Sequence, residues 1–197
     1  PRFVVPRRGG RAPAEDGRAR HLDEKRSRRE ARDEPLNGLR VRPPVVRGAE
    51  ARADAVKLQI YSAETLYSRR TPRHSGYDQD LFSLIKEIET PREWLPELAA
   101  YCQKRDMIFF ATPFDREAVD ELDAVSDLFK IASFEIVDLP LLKYCASKGK
   151  PMIISTGLAN LEEIEDACRV CEEAGNDQAV LLQCASVYPA PASIMNL

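Results

Sequence analysis

Two short stretches carry most of the chemistry in this chain: Phe129-Lys-Ile-Ala-Ser-Phe-Glu135 and Gly149-Lys-Pro-Met-Ile-Ile-Ser-Thr-Gly157. Each is an apolar run whose last positions turn polar. Lys130, Ser133 and Glu135 close the first; Ser155, Thr156 and Gly157 close the second. A lysine set among hydroxyls and a glycine suits phosphate or carboxylate capture, because ammonium and hydroxyl donors meet anionic oxygens in charge-assisted hydrogen bonds. Three further apolar runs end in the same way: in Lys57 and Gln59, in Thr112 and Asp115, and in Gln183, Ser186 and Tyr188. An unpaired buried ammonium is costly, so lysines inside strand-like runs need partners. Two readings are open. Lys–Glu pairs plug the core, or the lysines face a ligand with more than one negative group.

The elements that position these residues follow from periodicity. Strands are expected at Ala55–Tyr61, Met107–Thr112, Leu128–Ala132, Pro151–Ser155 and Ala179–Cys184, apolar on both faces as in a covered parallel sheet. Helices alternate with them. Thr90-Pro91-Arg92-Glu93 reads as a capping box that opens a helix running to about Lys104. Asp115 caps Arg116–Val125, and Asp138 caps a helix reaching Ser147. Asn160 and Glu163 cap Leu161–Ala174, and Gly175 stops it. From the second strand on, strand starts spaced by roughly 20–30 residues predict βα units. No Gly-x-Gly-x-x-Gly follows the first strand, which favours an α/β fold of the incomplete (β/α)8 TIM barrel type over a doubly wound sheet. Residues 62–89 read as a long loop at the mouth, with Tyr61, Tyr67, Arg69, Arg70, Arg73, His74 and Tyr77 in or beside it.

Composition divides the chain near residue 54. Residues 1–54 carry a net charge of +6, with no Ile, Tyr or Trp, and the remainder carries −9. The first segment cannot bury enough apolar surface to offset its ordering entropy, so disorder is expected there. It reads as a basic nucleic-acid-binding arm, as a linker, or as a GC-rich gene translated in the wrong frame. The net charge of −3 argues against nucleic acid or membrane as partners of the whole chain, and no apolar run approaches the ~20 residues of a membrane span. Five scattered cysteines, an odd number, read as reduced thiols in the cytoplasm. Cys168-x-x-Cys171 falls in a helical pattern with no second pair, and reads as two helix thiols.

Five motifs in register resemble the sialic acid synthase family, which makes N-acetylneuraminic, legionaminic and pseudaminic acids. They are Ala53-Asp-Ala-Val-Lys-Leu-Gln59, Ala111-Thr-Pro-Phe-Asp115, Phe129-Lys-Ile-Ala-Ser-Phe-Glu135, Pro151-Met-Ile-Ile-Ser-Thr-Gly157 and Leu181-Leu-Gln-Cys-Ala-Ser-Val-Tyr-Pro-Ala-Pro191. The resemblance implies a TIM barrel, a small C-terminal antifreeze-like domain and a domain-swapped homodimer. It implies condensation of phosphoenolpyruvate with N-acetylmannosamine or a related N-acylated aldose, with release of phosphate and with Mn or Mg required. Lys57 and Lys130 would then hold the anionic groups of phosphoenolpyruvate. Thr112, Ser133 and Ser155 would donate hydrogen bonds to it, Gln59 and Glu135 would face the reacting sugar, and Ser186 and Tyr188 would reach phosphate and sugar.

The chain also departs from the family pattern. Arg2-Phe-Val-Val5 is similar to the start of the family's first strand, Pro6-Arg-Arg-Gly-Gly10 breaks away, and similarity resumes at Ala53. That outline favours the frameshift reading. The family's metal-binding histidines belong to later strands; the histidines here are His21 and His74, and His74 reads as a loop residue. The metal's ligands are therefore expected to be missing, and the chain by itself is expected to be inactive and prone to aggregate. Two alternatives are another phosphoenolpyruvate-dependent synthase of deoxy-ulosonic acids, and a non-catalytic protein with an Arg-rich nucleic-acid-binding arm.

Overall fold

The apolar runs form five parallel strands: β1 (Ala55–Ile60), β2 (Ile108–Pro113), β3 (Phe129–Ile131), β4 (Met152–Ser155) and β5 (Ala179–Leu182). The computed structural model describes residues 50–71, 79–187 and 189–195, together with Val45 and Gly48. Spatial order equals chain order, β1-β2-β3-β4-β5, and every neighbouring pair is parallel. A doubly wound sheet reverses its order at a switch point, whereas staves added one after another make an arc of a barrel. The chain has the α/β fold of a (β/α)8-type barrel, and five of its strands are described.

Pairing register assigns the two faces. Val56, Ile60, Phe109, Ala111, Phe129, Ile131, Met152 and Ile154 lie on the buried, helix-covered face, each at most 9% exposed. The opposite, inner face carries Lys57, Gln59, Phe110, Thr112, Lys130, Ile153 and Ser155. The helices are α1 (Ala63–Leu66), α2 (Leu81–Ile88), α3 (Leu95–Gln103), α4 (Arg116–Val125), α5 (Leu139–Ala146) and α6 (Leu161–Glu173), of which α3 and α4 pack on β2. Asp115, Asp138 and Asn160 cap α4, α5 and α6 through their side chains, as expected from sequence. Asn160 and Glu163 close a full capping box, and Gly175 follows α6 at φ +78°.

The expected helix from Thr90 does not run unbroken. A 3-10 turn at Arg92–Trp94 precedes α3, and no side-chain cap bond starts either piece. Pro96 is the cause. It has no N–H for the carbonyl of Arg92 four residues back, and its ring would collide with that carbonyl. The carbonyl accepts from the N–H of Leu95 instead, which is the shorter 3-10 bond.

The expected loop at 62–89 contains two helices, α1 and α2, whose caps are Ser62 and Asp80. Leu81, Leu84, Ile85 and Ile88 recur at helical spacing behind Asp80, a signal present in the sequence. The connection is tied down at both ends. Glu89 accepts a hydrogen bond from the Ala63 N–H at 2.9 Å, and Asp115 accepts from Thr65 at 3.0 Å and from Arg92 at 2.5 Å.

Of the segment set apart by composition, Val45 is fully buried, and the Gly48 carbonyl accepts from the Ala53 N–H at 2.9 Å. Expectations for residues 1–44, and those for His21, His74, Arg73 and Tyr77, lie outside the described residues.

Candidate anion-binding site

Lys130 stands at the centre of the inner face, at its carboxyl edge. It is 9% exposed, and its ammonium donates to Ser155 Oγ at 2.6 Å and to the Ile131 carbonyl at 2.5 Å. Burial and the charge of Lys57 push its pKa down to about 8. Lys57 therefore points to the same face and is close enough to act on Lys130, as a shared anion site requires. Among the described residues no carboxylate is hydrogen-bonded to Lys130; its partners there are a hydroxyl and a carbonyl. A lysine plug paired with glutamate is not what forms here.

Around Lys130 the strand ends converge. Thr112 flanks it on β2, fully buried, with no hydrogen-bond partner for its hydroxyl. A buried hydroxyl left without a partner costs about 1–3 kcal/mol, so this one points to something it binds. Ser133 lies in the loop beyond β3, which ends at Ile131. It accepts from the Gly157 N–H at 3.3 Å and stands 3.7 Å from Cys184 Sγ. Gly157 is packed so closely that a Cβ would stand 2.8 Å from the Cys184 carbonyl oxygen and 2.9 Å from Ser186 Oγ. That approach brings Ser186, beyond β5, to the end of β4. Gln59 pairs in register with Thr112 and is exposed beside it.

Glu135 belongs to a 3-10 turn, Glu135–Val137, rather than to the end of a strand. Burial holds its carboxyl above the usual carboxylate range, Asp138 adds to this, and Lys130 opposes it. One of its oxygens, Oε2, is buried without a partner. A carboxyl of this kind keeps a proton more readily than an exposed one, which suits a proton donor.

Asp115, grouped with the polar strand ends in sequence, serves the scaffold: its carboxylate is taken up by the α4 cap, Thr65 and Arg92. Tyr188 lies outside the described residues. Cys184 was not legible as a site residue, because nothing in its spacing brings it against Ser133, 51 residues earlier. No group of three His, Cys, Asp or Glu among the described residues is placed to hold a metal ion. Glu135 among neutral hydroxyls offers too few donors for Mg, which takes about six oxygens in octahedral geometry. No helix among the described residues is long and apolar enough to cross a membrane.

Beside Lys130, a pocket of about 560 Å³ opens between the β4 and β5 loops and the start of α6. Gly157, Leu158, Leu161, Cys184, Ser186 and Val187 line it, and among the described residues no charged one is in its lining.

A sequence profile described as the NeuB family matches residues 45–197, beginning ten residues before the first strand. The chain is 40% identical over 153 residues to the spore coat polysaccharide biosynthesis protein SpsE of Bacillus subtilis, covering 76% of this chain and 41% of that protein. It is 39% identical over 155 residues to a pseudaminic acid synthase of Helicobacter pylori, covering 75% and 46%. The crystal structure of N-acetylneuraminic acid synthetase from Leptospira borgpetersenii, in complex with citrate, superposes with a TM-score of 0.68 at 30% identity, covering 78% of this chain and 51% of that one. The chain thus spans less than half the length of these two curated relatives.

Proposed function

This chain belongs to the NeuB family, and on that premise we propose that its inner face holds phosphoenolpyruvate for condensation with N-acetylmannosamine or a related N-acylated aldose. The product is a sialic-acid-type nonulosonic acid, and phosphate is released. The observation that carries the reading is Lys130: an ammonium nine-tenths buried, bonded among the described residues only to neutral groups, beside the unpartnered hydroxyl of Thr112.

In this reading Lys130 and Lys57 neutralise the carboxylate and phosphate, which are otherwise expensive to desolvate. Thr112, Ser133 and Ser155 supply hydroxyl donors at fixed positions, and Ser186 reaches the phosphate from beyond β5. Gln59 and Glu135 face the sugar. The methylene carbon of phosphoenolpyruvate attacks the open-chain aldehyde carbon, and the aldehyde oxygen takes up a proton; Glu135, holding one above the usual range, is placed to give it. Water adds to the former enol carbon, and phosphate leaves with its bridging oxygen by C–O cleavage. The Mn or Mg implied by the family has no ligand set among the described residues, and these steps use none.

The unpaired cysteines, Cys102, Cys145, Cys168, Cys171 and Cys184, support a place in the cytoplasm. A homodimer, implied by the resemblance for full-length relatives, is part of the same reading.

Titration calorimetry tests the site: phosphoenolpyruvate is expected to bind this chain and to be displaced by excess inorganic phosphate. Binding that phosphate leaves untouched, or no binding, would remove the reading. In a longer polypeptide carrying this segment, N-acetylmannosamine should then drive phosphate release.

A further inference from the structure

Cys184 is set apart from the other thiols of this chain. Cys102, Cys145 and Cys171 are at most 1% exposed, and burial pushes them up to about 11, about 12 and about 11. Cys168, half-buried on α6, is raised by burial and by Glu172 and Glu165. Cys184 lines the pocket beside Lys130 and is partly open to solvent. Its own burial pushes the thiol up. The Ser133 hydroxyl, 3.7 Å from the sulfur, together with nearby Ser155 and the polar backbone at Thr156 and Gly157, outweighs that and holds it below the ordinary thiol value.

The same donors line the proposed anion site. Ser133 Oγ stands 3.7 Å from Cys184 Sγ, Ser155 Oγ is the partner of Lys130 at 2.6 Å, and the Gly157 N–H points at Ser133. A second and independent feature marks this place for a ligand: the fully buried, unpartnered Thr112 hydroxyl on the face of Lys130. One set of donors cannot serve two negative groups at once. There is also little room, since even a Cβ on Gly157 would lie 3.1 Å from the sulfur.

We propose that Cys184 is a modifiable thiol built into the anion site, such that a bound phosphate anion shields the sulfur and alkylation of the sulfur closes the site. The proposal rests on the anion-site reading given above. With iodoacetamide the thiolate sulfur attacks the methylene carbon, a C–S bond forms, the C–I bond breaks and iodide leaves with the electron pair. The added carbamidomethyl group then occupies the space among Ser133, Ser155 and Gly157.

The test follows iodoacetamide labelling of all five cysteines in the intact chain by peptide mass spectrometry, with and without inorganic phosphate and phosphoenolpyruvate. A lower thiol pKa gains thiolate but loses about half of that, on a logarithmic scale, in nucleophilicity, so Cys184 should label faster than Cys168. Phosphate should slow Cys184 and leave Cys168 unchanged. Labelled chain should lose its phosphoenolpyruvate binding heat, whereas Cys184→Ser should keep after treatment whatever heat it showed before. Equal labelling of Cys168 and Cys184 overturns the proposal. So does phosphoenolpyruvate that binds, by its heat, without slowing Cys184. Protection by phosphate with no phosphoenolpyruvate binding upholds the thiol's place and removes the substrate reading instead.

Discussion

At the scale of the residue, Lys130 sets the behaviour with pH. Its ordinary pKa of 10.5 is lowered to about 8 by burial, reinforced by the charge of Lys57. Anion capture needs the ammonium, so affinity for phosphoenolpyruvate should fall as pH rises through about 8. Stability moves the other way. Between about 8 and 10.5 the unfolded chain binds the proton that the folded chain has lost, so this group makes the unliganded protein more stable as pH rises across that window. Lys130→Arg keeps its charge throughout, and its affinity profile should be flat where the parent's falls; a parent profile that is equally flat would show that Lys130 does not hold the anion. Gly157 is the other decisive position. An added methyl meets the Cys184 carbonyl at 2.8 Å, backbone that cannot swing aside. Gly157→Ala should cost about 1–3 kcal/mol in urea unfolding and weaken anion binding together. The polar types at the strand ends were legible in the sequence, because hydroxyls and lysines closing apolar runs have few structural uses. Cys184 was not, because its role is made by a contact across 51 residues.

At the scale of the element, side-chain caps did most to make the fold readable. Asp115, Asp138 and Asn160 each accept a backbone N–H at 2.7–3.0 Å, at helix starts visible from residue type alone. Asp115 does more than cap. It also accepts from Thr65 and pairs with Arg92, whose side chain is 18% exposed, so it pins α1, the 3-10 turn and α4 together. Asp115→Ala should therefore cost more than an ordinary cap, about 2 kcal/mol or more, since it also removes the 2.5 Å contact of a mostly buried guanidinium, which keeps only Glu117 at 3.2 Å and Glu121 at 3.5 Å. Asn160→Ala, which breaks only the capping box on α6, should cost about 1 kcal/mol. Equal losses in chemical denaturation would refute the pinning role. The errors of sequence reading also lie at this scale. Pro96 breaks a helix that Thr90 and Glu93 announced, because a missing donor outranks a capping pattern. The helix α2 was hidden inside a stretch judged by its length and its Tyr and Arg content, although Asp80 and the apolar spacing behind it were there to read.

At the scale of the molecule, the sheet is an arc with an open side. β5 pairs only with β4 among the described residues, and Val180, Leu181 and Leu182 are 42%, 43% and 39% exposed. An exposed apolar edge of this kind invites pairing with another chain. The chain should associate with rising concentration, and Leu181→Lys should shift sedimentation toward monomer; an unchanged profile would place the association elsewhere. The barrel type was legible because βα units recurred without a dinucleotide-binding loop. The convergence of four strand ends on Lys130 needed the register, which sequence alone does not fix.

The central claim is that this face was built to hold phosphoenolpyruvate through Lys130, and titration calorimetry of parent and Lys130→Ala chains tests it most directly. Losing a charge-assisted contact costs on the order of 1.5–3 kcal/mol, so the variant should bind phosphoenolpyruvate about tenfold to a hundredfold more weakly, with its circular dichroism unchanged. Equal affinity in the two folded proteins would contradict the account.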